Sequence, residues 1–456
     1  MTDKIFPSPL GTNNSVLPNA TGFKMRVLPW VVCGLAAAFY CYEYLLRITP
    51  GLIVPELQRA FSVHGAYLDA TQIGHLSAFY YYAYTPMQIP VGLLMDRYGP
   101  RCVITFAVFC CAAGTVLFGF TEALWLAAVG RFFTGFGSAF AFVGVLKLAS
   151  TWLPANRFGM VTGLATSLGM IGAMLGAVFL TKLIDIIGWR EMLFYASSIG
   201  FIMMPIIWLV VRDAPPNYRH ASDLLRRKSS GMSFRQLWQE IRSSIKNPQI
   251  WLSGVIGGLL MAPTMVFPEL WGKPYLEAVH HFTPLEASTA VTFVFLGWAV
   301  GGPLAGLFSD LLGRRRLPLI IGSILATALL LFFLYYPTLS KTEIQILLFG
   351  IGFVSSVQVI CFAISRENCS AGLAGTVVAV TNFSINCFSI SQVVVAKILD
   401  LTWDGKMLDN AKVYSIESYQ TSMMLLPIAT LLALMLIFFL RETYCKPLVT
   451  AGSSGL

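Results

Sequence analysis

Apolar residues run along this chain in twelve long blocks, at 27–57, 68–95, 101–121, 123–153, 158–184, 189–211, 250–276, 287–309, 317–336, 343–366, 373–398 and 419–440. Each is long enough for a helix to cross the roughly 30 Å hydrocarbon core of a bilayer, which takes about 20 residues. None shows the strict period-two alternation of a lipid-facing strand, so the blocks predict helices. Glycines inside them, Gly163, Gly169, Gly172 and Gly176 for example, are tolerated because neighbouring helices re-satisfy the backbone. The pattern predicts an all-α membrane protein with twelve transmembrane helices.

One long polar stretch, 213–249, divides the blocks six and six. The predicted organisation is a polar tail at 1–26, an N-terminal half at 27–212, a linker at 213–249, a C-terminal half at 250–440 and a second tail at 441–456. Within the linker Phe234, Leu237, Trp238, Ile241 and Ile245 recur at helical spacing opposite Arg235, Arg242 and Lys246, which predicts an amphipathic helix lying on the membrane face.

The two halves repeat each other. Gly92-Leu93-Leu94-Met95-Asp96-Arg97-Tyr98-Gly99-Pro100-Arg101 returns 214 positions later as Gly306-Leu307-Phe308-Ser309-Asp310-Leu311-Leu312-Gly313-Arg314-Arg315. Pro50, Pro55, Glu56 and Leu57 recur as Pro263, Pro268, Glu269 and Leu270, and Lys182 and Asp185 as Lys397 and Asp400. Gly135 and Gly137 recur as Gly350 and Gly352. Matches in register at nearly half the chain length predict two pseudo-symmetric six-helix halves, the layout of transporters built from fused repeats.

Composition agrees: 56% of residues are hydrophobic and only 12% charged, against about 25% charged in soluble domains. The net charge of +9 invites a nucleic-acid reading until its distribution is considered. Arg97, Arg101, Arg157, Arg226, Arg227, Lys228, Arg314, Arg315 and Arg316 all fall in loops on one side, which the positive-inside rule makes cytoplasmic together with both termini. No nucleic-acid partner is expected. Nine cysteines without a CxxC pair read as packing residues, and no metal or cofactor motif, phosphate loop or nucleophile constellation appears. An enzyme is not expected.

At this point the doubled loop is recognisable. It is similar to the signature G-x-L-x-D-R-x-G-R-[KR] between the second and third helices of the major facilitator superfamily, matched at Gly92, Leu94, Asp96, Arg97, Gly99 and Arg101, with Pro100 departing from it. Arg131, Gly135, Gly137 and Ala139 resemble that family's fourth-helix pattern R-x-x-x-G-x-G-x-A, linked there to proton coupling, while the second half has Ile346 in the place of the arginine. The glycine-proline signature of drug antiporters is absent. Tyr42 to Arg47, Tyr80 to Gln88 and Glu269 to Gly272 look like phagosomal nutrient transporters of intracellular bacteria, and the anion:cation symporters are also similar. The resemblance implies the superfamily fold, alternating access, and a conformational latch at Gly92, Asp96, Arg97, Arg101, Asp310, Arg314 and Arg315. Physically, glycines permit close helix approach, and an aspartate at a helix end can meet a neighbouring helix N-terminus while arginines reach carboxylates on the same face.

A charge at mid-bilayer costs roughly 2.5–3.5 kcal/mol, so the ionisable residues inside the runs need a reason. They are Glu43, Arg47, Arg131 and Lys147, with Glu269 and Glu367 nearer the run ends. Tyr40, Glu43, Tyr44 and Arg47 share one helical face, which must look into polar surroundings. A rearranging pair of Glu43 with Arg47 or Arg131 is the expected proton-coupling device. Arg47, with its bidentate fork, is the first candidate to hold a solute carboxylate or phosphate. Tyr40, Tyr44, Tyr80, Tyr84 and Gln88 would line the solute site, joined from the second half by Trp271, Gln358 and Asn382. Lys147 reads equally as an interfacial side chain or a site residue.

The expected protein is a secondary active transporter of a bacterial cytoplasmic (inner) membrane. It would be monomeric, partnered by lipid and a small solute, without a cofactor, and importing a polar or anionic organic molecule such as an amino acid, nucleoside or organic anion with protons as the coupling ion. A proton antiporter exporting a metabolite or siderophore and a transporter-like solute receptor without turnover are the alternatives.

Overall fold

The computed structural model describes residues 23–63, 66–153, 158–215, 246–336, 338–369, 374–408 and 411–446. The predicted linker helix and most of both tails lie outside them. Twelve helical rods appear in the expected order. They are Phe23–Leu52, a second span at 70–98, Pro100–Phe120, Leu124–Trp152, a fifth at 158–187, Trp189–Val210, Pro248–His280, Pro284–Leu312, Arg316–Tyr335, Lys341–Glu367, an eleventh at 374–401 and Ile416–Ile437. Among the described residues eleven of these are long and apolar enough to cross a membrane. The second is interrupted at 88–90, between Ala70–Met87 and Val91–Tyr98, where Pro86 and Pro90 each remove a backbone N–H.

Two boundaries move for the same reason. The apolar run 27–57 is not one helix: the first span stops at Leu52, and Val54–Ala60 forms a separate short helix with Pro55 in its first turn, a position where the missing N–H costs nothing. The seventh span is longer than its run, and Pro268 sits in a π-helical segment, Phe267–Trp271, inside it. Glu269 is therefore well inside the seventh span and buried, not near a helix end as the run suggested.

The glycine repeat also needs adjustment. A Cβ on Gly135 would lie 1.9 Å from the Tyr80 carbonyl oxygen, and one on Gly352 would lie 2.0 Å from that of Val294, so in each half a glycine of the fourth helix lies against the main chain of the second. The glycines that do this are not the pair aligned in sequence. Ile346 is 64% exposed whereas Leu348 is 1% exposed, so Leu348 is the buried counterpart of Arg131. The two halves still differ in charge at this position, Arg131 against Leu348.

One face of the bundle carries Arg97, Arg101 and Arg314 to Arg316, and is called the basic face here; the other is the far face. Most hydrogen bonds between halves gather toward the far face. Asp400 at the end of the eleventh span accepts from the Thr71 N–H at 2.7 Å and the Thr71 hydroxyl at 2.5 Å, which places a carboxylate on the N-terminus of the second span. The Lys273 ammonium donates to the Leu52 carbonyl at 2.5 Å, a cation at the C-terminus of the first span. Tyr414 donates to Asp400 and accepts from the Ala70 N–H; beside that carboxylate, burial first and the hydrogen bond second hold its phenol well above the ordinary range. Thr181 meets Ser288 at 2.7 Å.

Candidate functional site

Helical spacing puts Glu43 and Arg47 one turn apart on the first span, and both are buried. The Arg47 guanidinium donates to Glu43 Oε1 through Nε, at 3.1 Å, and through Nη2. Tyr80 of the second span completes the triangle, donating to Glu43 Oε1 at 2.6 Å and accepting from Arg47 Nε at 3.1 Å. Arg47 also lies over the rings of Tyr44, at 4.3 Å, and Tyr84, at 4.9 Å, which lowers the cost of burying the cation. Tyr84 stacks on Tyr80 with centroids 5.6 Å apart, and Tyr40 packs edge-on to Tyr44 at 5.2 Å. The face proposed from spacing alone is thus a continuous cluster of one carboxylate, one guanidinium and four phenols.

Of the two arginines expected as alternatives for Glu43, Arg47 holds it in this conformation and Arg131 does not. The Arg131 guanidinium donates to the main-chain carbonyls of Leu46, at 3.1 Å, and Arg47, at 3.5 Å, and covers the Tyr80 ring at 5.0 Å. Its Nε has no partner among the described residues, and neither does Glu43 Oε2. A buried polar atom without a partner is costly.

The second half closes over the cluster. Tyr80, Tyr81, Tyr84 and Ala139 pack with Met265 and Ile385, and the Tyr81 hydroxyl donates to Glu269 Oε2. Toward the basic face, Asn382 donates to Gln88 Oε1 at 2.8 Å and is itself bonded by Asn386, while Gln88 Nε2 has no partner among the described residues. Trp271 and Gln358 are not brought into this group by any hydrogen bond: the Trp271 indole N–H donates to the Gln392 carbonyl, joining the seventh and eleventh spans within the second half, and Gln358 is buried in a 3-10 segment of the tenth span.

The doubled loop is clamped within each half. Asp96 pairs with Lys147 at 2.6 Å, both about 40% exposed, so the Lys147 ammonium is paired rather than free, and Asp96 meets it rather than a helix end. Arg101 donates through its N–H to Asp213 at 2.9 Å and through Nε to the Trp208 carbonyl; Arg97 lies beside the Tyr98 ring. In the second half Arg315 joins Asp310 at 2.6 Å and Glu367 at 2.6 Å. Burial opposes the Arg315 charge, yet the hydrogen bonds to Glu367 and Asp310 outweigh it and hold its pKa above the ordinary value. Glu442 accepts from the Arg315 and Arg316 N–H groups as Asp213 does from Arg101, so each half caps its third helix with a carboxylate from just beyond its sixth.

Close approach at Gly92 and Gly306 is not seen: an added Cβ at either would meet nothing within 4 Å. The glycine that the loop does require is Gly99, whose φ is +83° and whose Cβ would strike the Asp213 carboxylate at 2.6 Å. Among the described residues, no ion pair or hydrogen bond joins Arg101, Asp96, Asp310, Arg314 or Arg315 to the opposite half.

Glu269 and Tyr81 were missed as a pair. Glu269 was visible as an ionisable residue in an apolar run, but its partner is 188 positions away, and no spacing rule reaches that far.

A family model described as Major Facilitator Superfamily matches residues 33–391. The uncharacterized transporter YybO of Bacillus subtilis (strain 168) is 27% identical over 39% of this chain and 40% of its own length, so the chain spans less than half of that relative. The D-galactonate transporter of Escherichia coli O6:H1 is 26% identical over 68% of this chain and 76% of its own. Among solved structures, a bacterial homolog to the human lysosomal transporter Spinster, in an inward-facing and unoccupied conformation, superposes with a TM-score of 0.74 at 15% identity, covering 93% of this chain and 99% of that one.

Proposed function

This chain belongs to the major facilitator superfamily, and from that membership we propose that it is a proton-coupled importer of a small hydroxylated organic anion, a sugar acid by chemical class. The basic face is the cytoplasmic one in this reading, and the far face opens to the outside. The observation that carries it is the bond between Arg47 and Glu43 inside a ring of phenols. Glu43 occupies the one guanidinium fork that a solute carboxylate would need. When Glu43 takes a proton it gives up the anion's place on Arg47, so solute and proton bind together or not at all. Tyr40, Tyr44, Tyr80 and Tyr84 supply hydroxyls and ring faces suited to a polyol chain. The D-galactonate transporter's name, with 26% identity over 68% of this chain, supports an anion of that class.

The test is uptake into proteoliposomes with an imposed pH gradient, inside alkaline, with labelled aldonates, aldarates, amino acids and nucleosides offered separately. Accumulation of a sugar acid, abolished by a protonophore and by Glu43→Gln while solute exchange survives, is the expected result. Uphill uptake that persists in Glu43→Gln would remove Glu43 from coupling, and selective uptake of an uncharged nucleoside would remove the anion.

A further inference from the structure

The triangle of Glu43, Arg47 and Tyr80 lies within one half. A rocking of the two halves leaves it intact, so by itself it has no means of sensing which face is open. Glu269 does. It is on the seventh span, in the opposite half from Glu43, 2% exposed, and its Oε2 is bound by Tyr81 of the N-terminal half. Main chain meets main chain beside it: a Cβ on Gly51 would lie 2.5 Å from the Glu269 carbonyl oxygen. Separation of the halves at the far face must break the Tyr81 contact and admit water to the carboxyl group.

The charged groups facing Glu269 are Arg47 and Glu43 of the first span and Arg131 of the fourth, with Tyr81 of the second. None of the cations is its partner. Arg47 is held by Glu43, Arg131 by two main-chain carbonyls, and Lys273, one turn along the same helix, by the Leu52 carbonyl. Glu269 Oε1 has no partner among the described residues and is out of contact with solvent. An ionised carboxylate is not stable in the dry interior on one phenol hydrogen bond; a neutral carboxyl, with its proton on Oε1 and the Tyr81 hydrogen bond on Oε2, is.

We propose that Glu269 is a second proton-carrying group, which must take a proton from far-face water before the Tyr81 contact forms and the far face closes. The π-helical segment Phe267–Trp271 that carries it is a local distortion of a kind found at functional positions, and here it turns the carboxyl toward the other half. The proposal rests on the proton-coupled reading above, and it makes the seal, rather than solute binding, the proton-dependent step assigned to this residue.

The test reads conformation without a solute. Spin labels at Glu122→Cys and Lys406→Cys, both exposed on the far face, are introduced after replacement of the native cysteines, and the distance between them is followed in nanodiscs from mildly acid to mildly alkaline pH. The unsubstituted site should lengthen this distance as pH rises. Glu269→Gln should hold the short distance at every pH, Tyr81→Phe should keep a transition but move it to lower pH, and Glu43→Gln should keep the transition, since its contacts lie in one half. A pH response in Glu269→Gln equal to the unsubstituted one overturns the proposal, as does an unmoved transition in Tyr81→Phe. A Glu269-dependent response in a protein that shows no proton-driven accumulation would sink the transport reading and leave this one standing.

Discussion

The two faces of the bundle are held by opposite strategies. At the far face charged side chains cross from one half to the ends of helices in the other: Asp400 to the start of the second span, Lys273 to the end of the first. At the basic face the clamps stay at home, Asp96 with Lys147, and Arg315 with Asp310 and Glu367. A contact between halves stabilises one conformation over another, whereas a contact inside a half stabilises that half in every conformation. The doubled loop, the most visible repeat in the chain, therefore acts in this conformation as a stiffener of each half.

That contrast can be broken from either side. The largest effect should come from Glu367→Ala, which removes the more buried of the two carboxylates that hold the buried Arg315 at a cost of up to about 3–5 kcal/mol; the melting temperature should fall while far-face distances stay unchanged, and an altered far-face distance would show that the clamp is not confined to its half. Gly51→Leu comes next. It sets a side chain against the Glu269 main chain, and overpacking of about 1–3 kcal/mol should shift the sealed-to-open ratio by up to about 100-fold, read as new reactivity of far-face cysteines. Asp400→Asn removes the charge that holds Thr71, Tyr414 and Lys412; charge-assisted hydrogen bonds are worth about 1.5–3 kcal/mol each, partly retained by the amide, so a shift of about tenfold toward the far-open form is expected.

Two smaller effects sharpen the comparison. Glu442 is partly buried, which opposes its charge, but the N–H groups of Arg315, Arg316, Tyr444 and Thr443 outweigh this and hold its carboxyl below the ordinary 4.5. Its folded value being depressed, its contribution is complete above the unfolded value and is lost as pH falls through the folded one. The unsubstituted protein should accordingly lose melting temperature in acid more steeply than Glu442→Gln. Asp96→Asn should do least in this conformation, since a half-exposed pair contributes about 1 kcal/mol or less. A change in the balance of conformations larger than about tenfold would place the action of Asp96 in the basic-face-closed form instead.

Much of the site was legible because it is local. Tyr40, Glu43, Tyr44 and Arg47 share a face by helical spacing alone, and the Tyr80 and Tyr84 that meet them share another. The pairing of Arg131 was not legible: depth placed it near Glu43, but the fourth span delivers its guanidinium to the carbonyls of Leu46 and Arg47. Trp271 looked like a site residue because it is amphipathic, yet its indole N–H ties the seventh span to the eleventh within the second half. Asp400 stood in the sequence only as half of a repeat with Asp185, and the repeat is misleading there, since Asp185 is exposed and Asp400 is the acceptor for four donor groups from three residues, all outside its own helix.

The sequence by itself determined the membrane class, the twelve spans, the fused halves, the family and the face of the first helix that bears the charges. These follow from hydrophobic run length, internal repetition and helical period, all of which are properties of neighbours along the chain. The tertiary structure alone decided toward which face the hydrogen bonds between halves gather, which arginine holds Glu43, and that Glu269 reaches Tyr81 across the interface. Those depend on contacts between residues as far apart as Tyr81 and Glu269, and a buried charge takes whatever partner the packing of helices brings within hydrogen-bond reach.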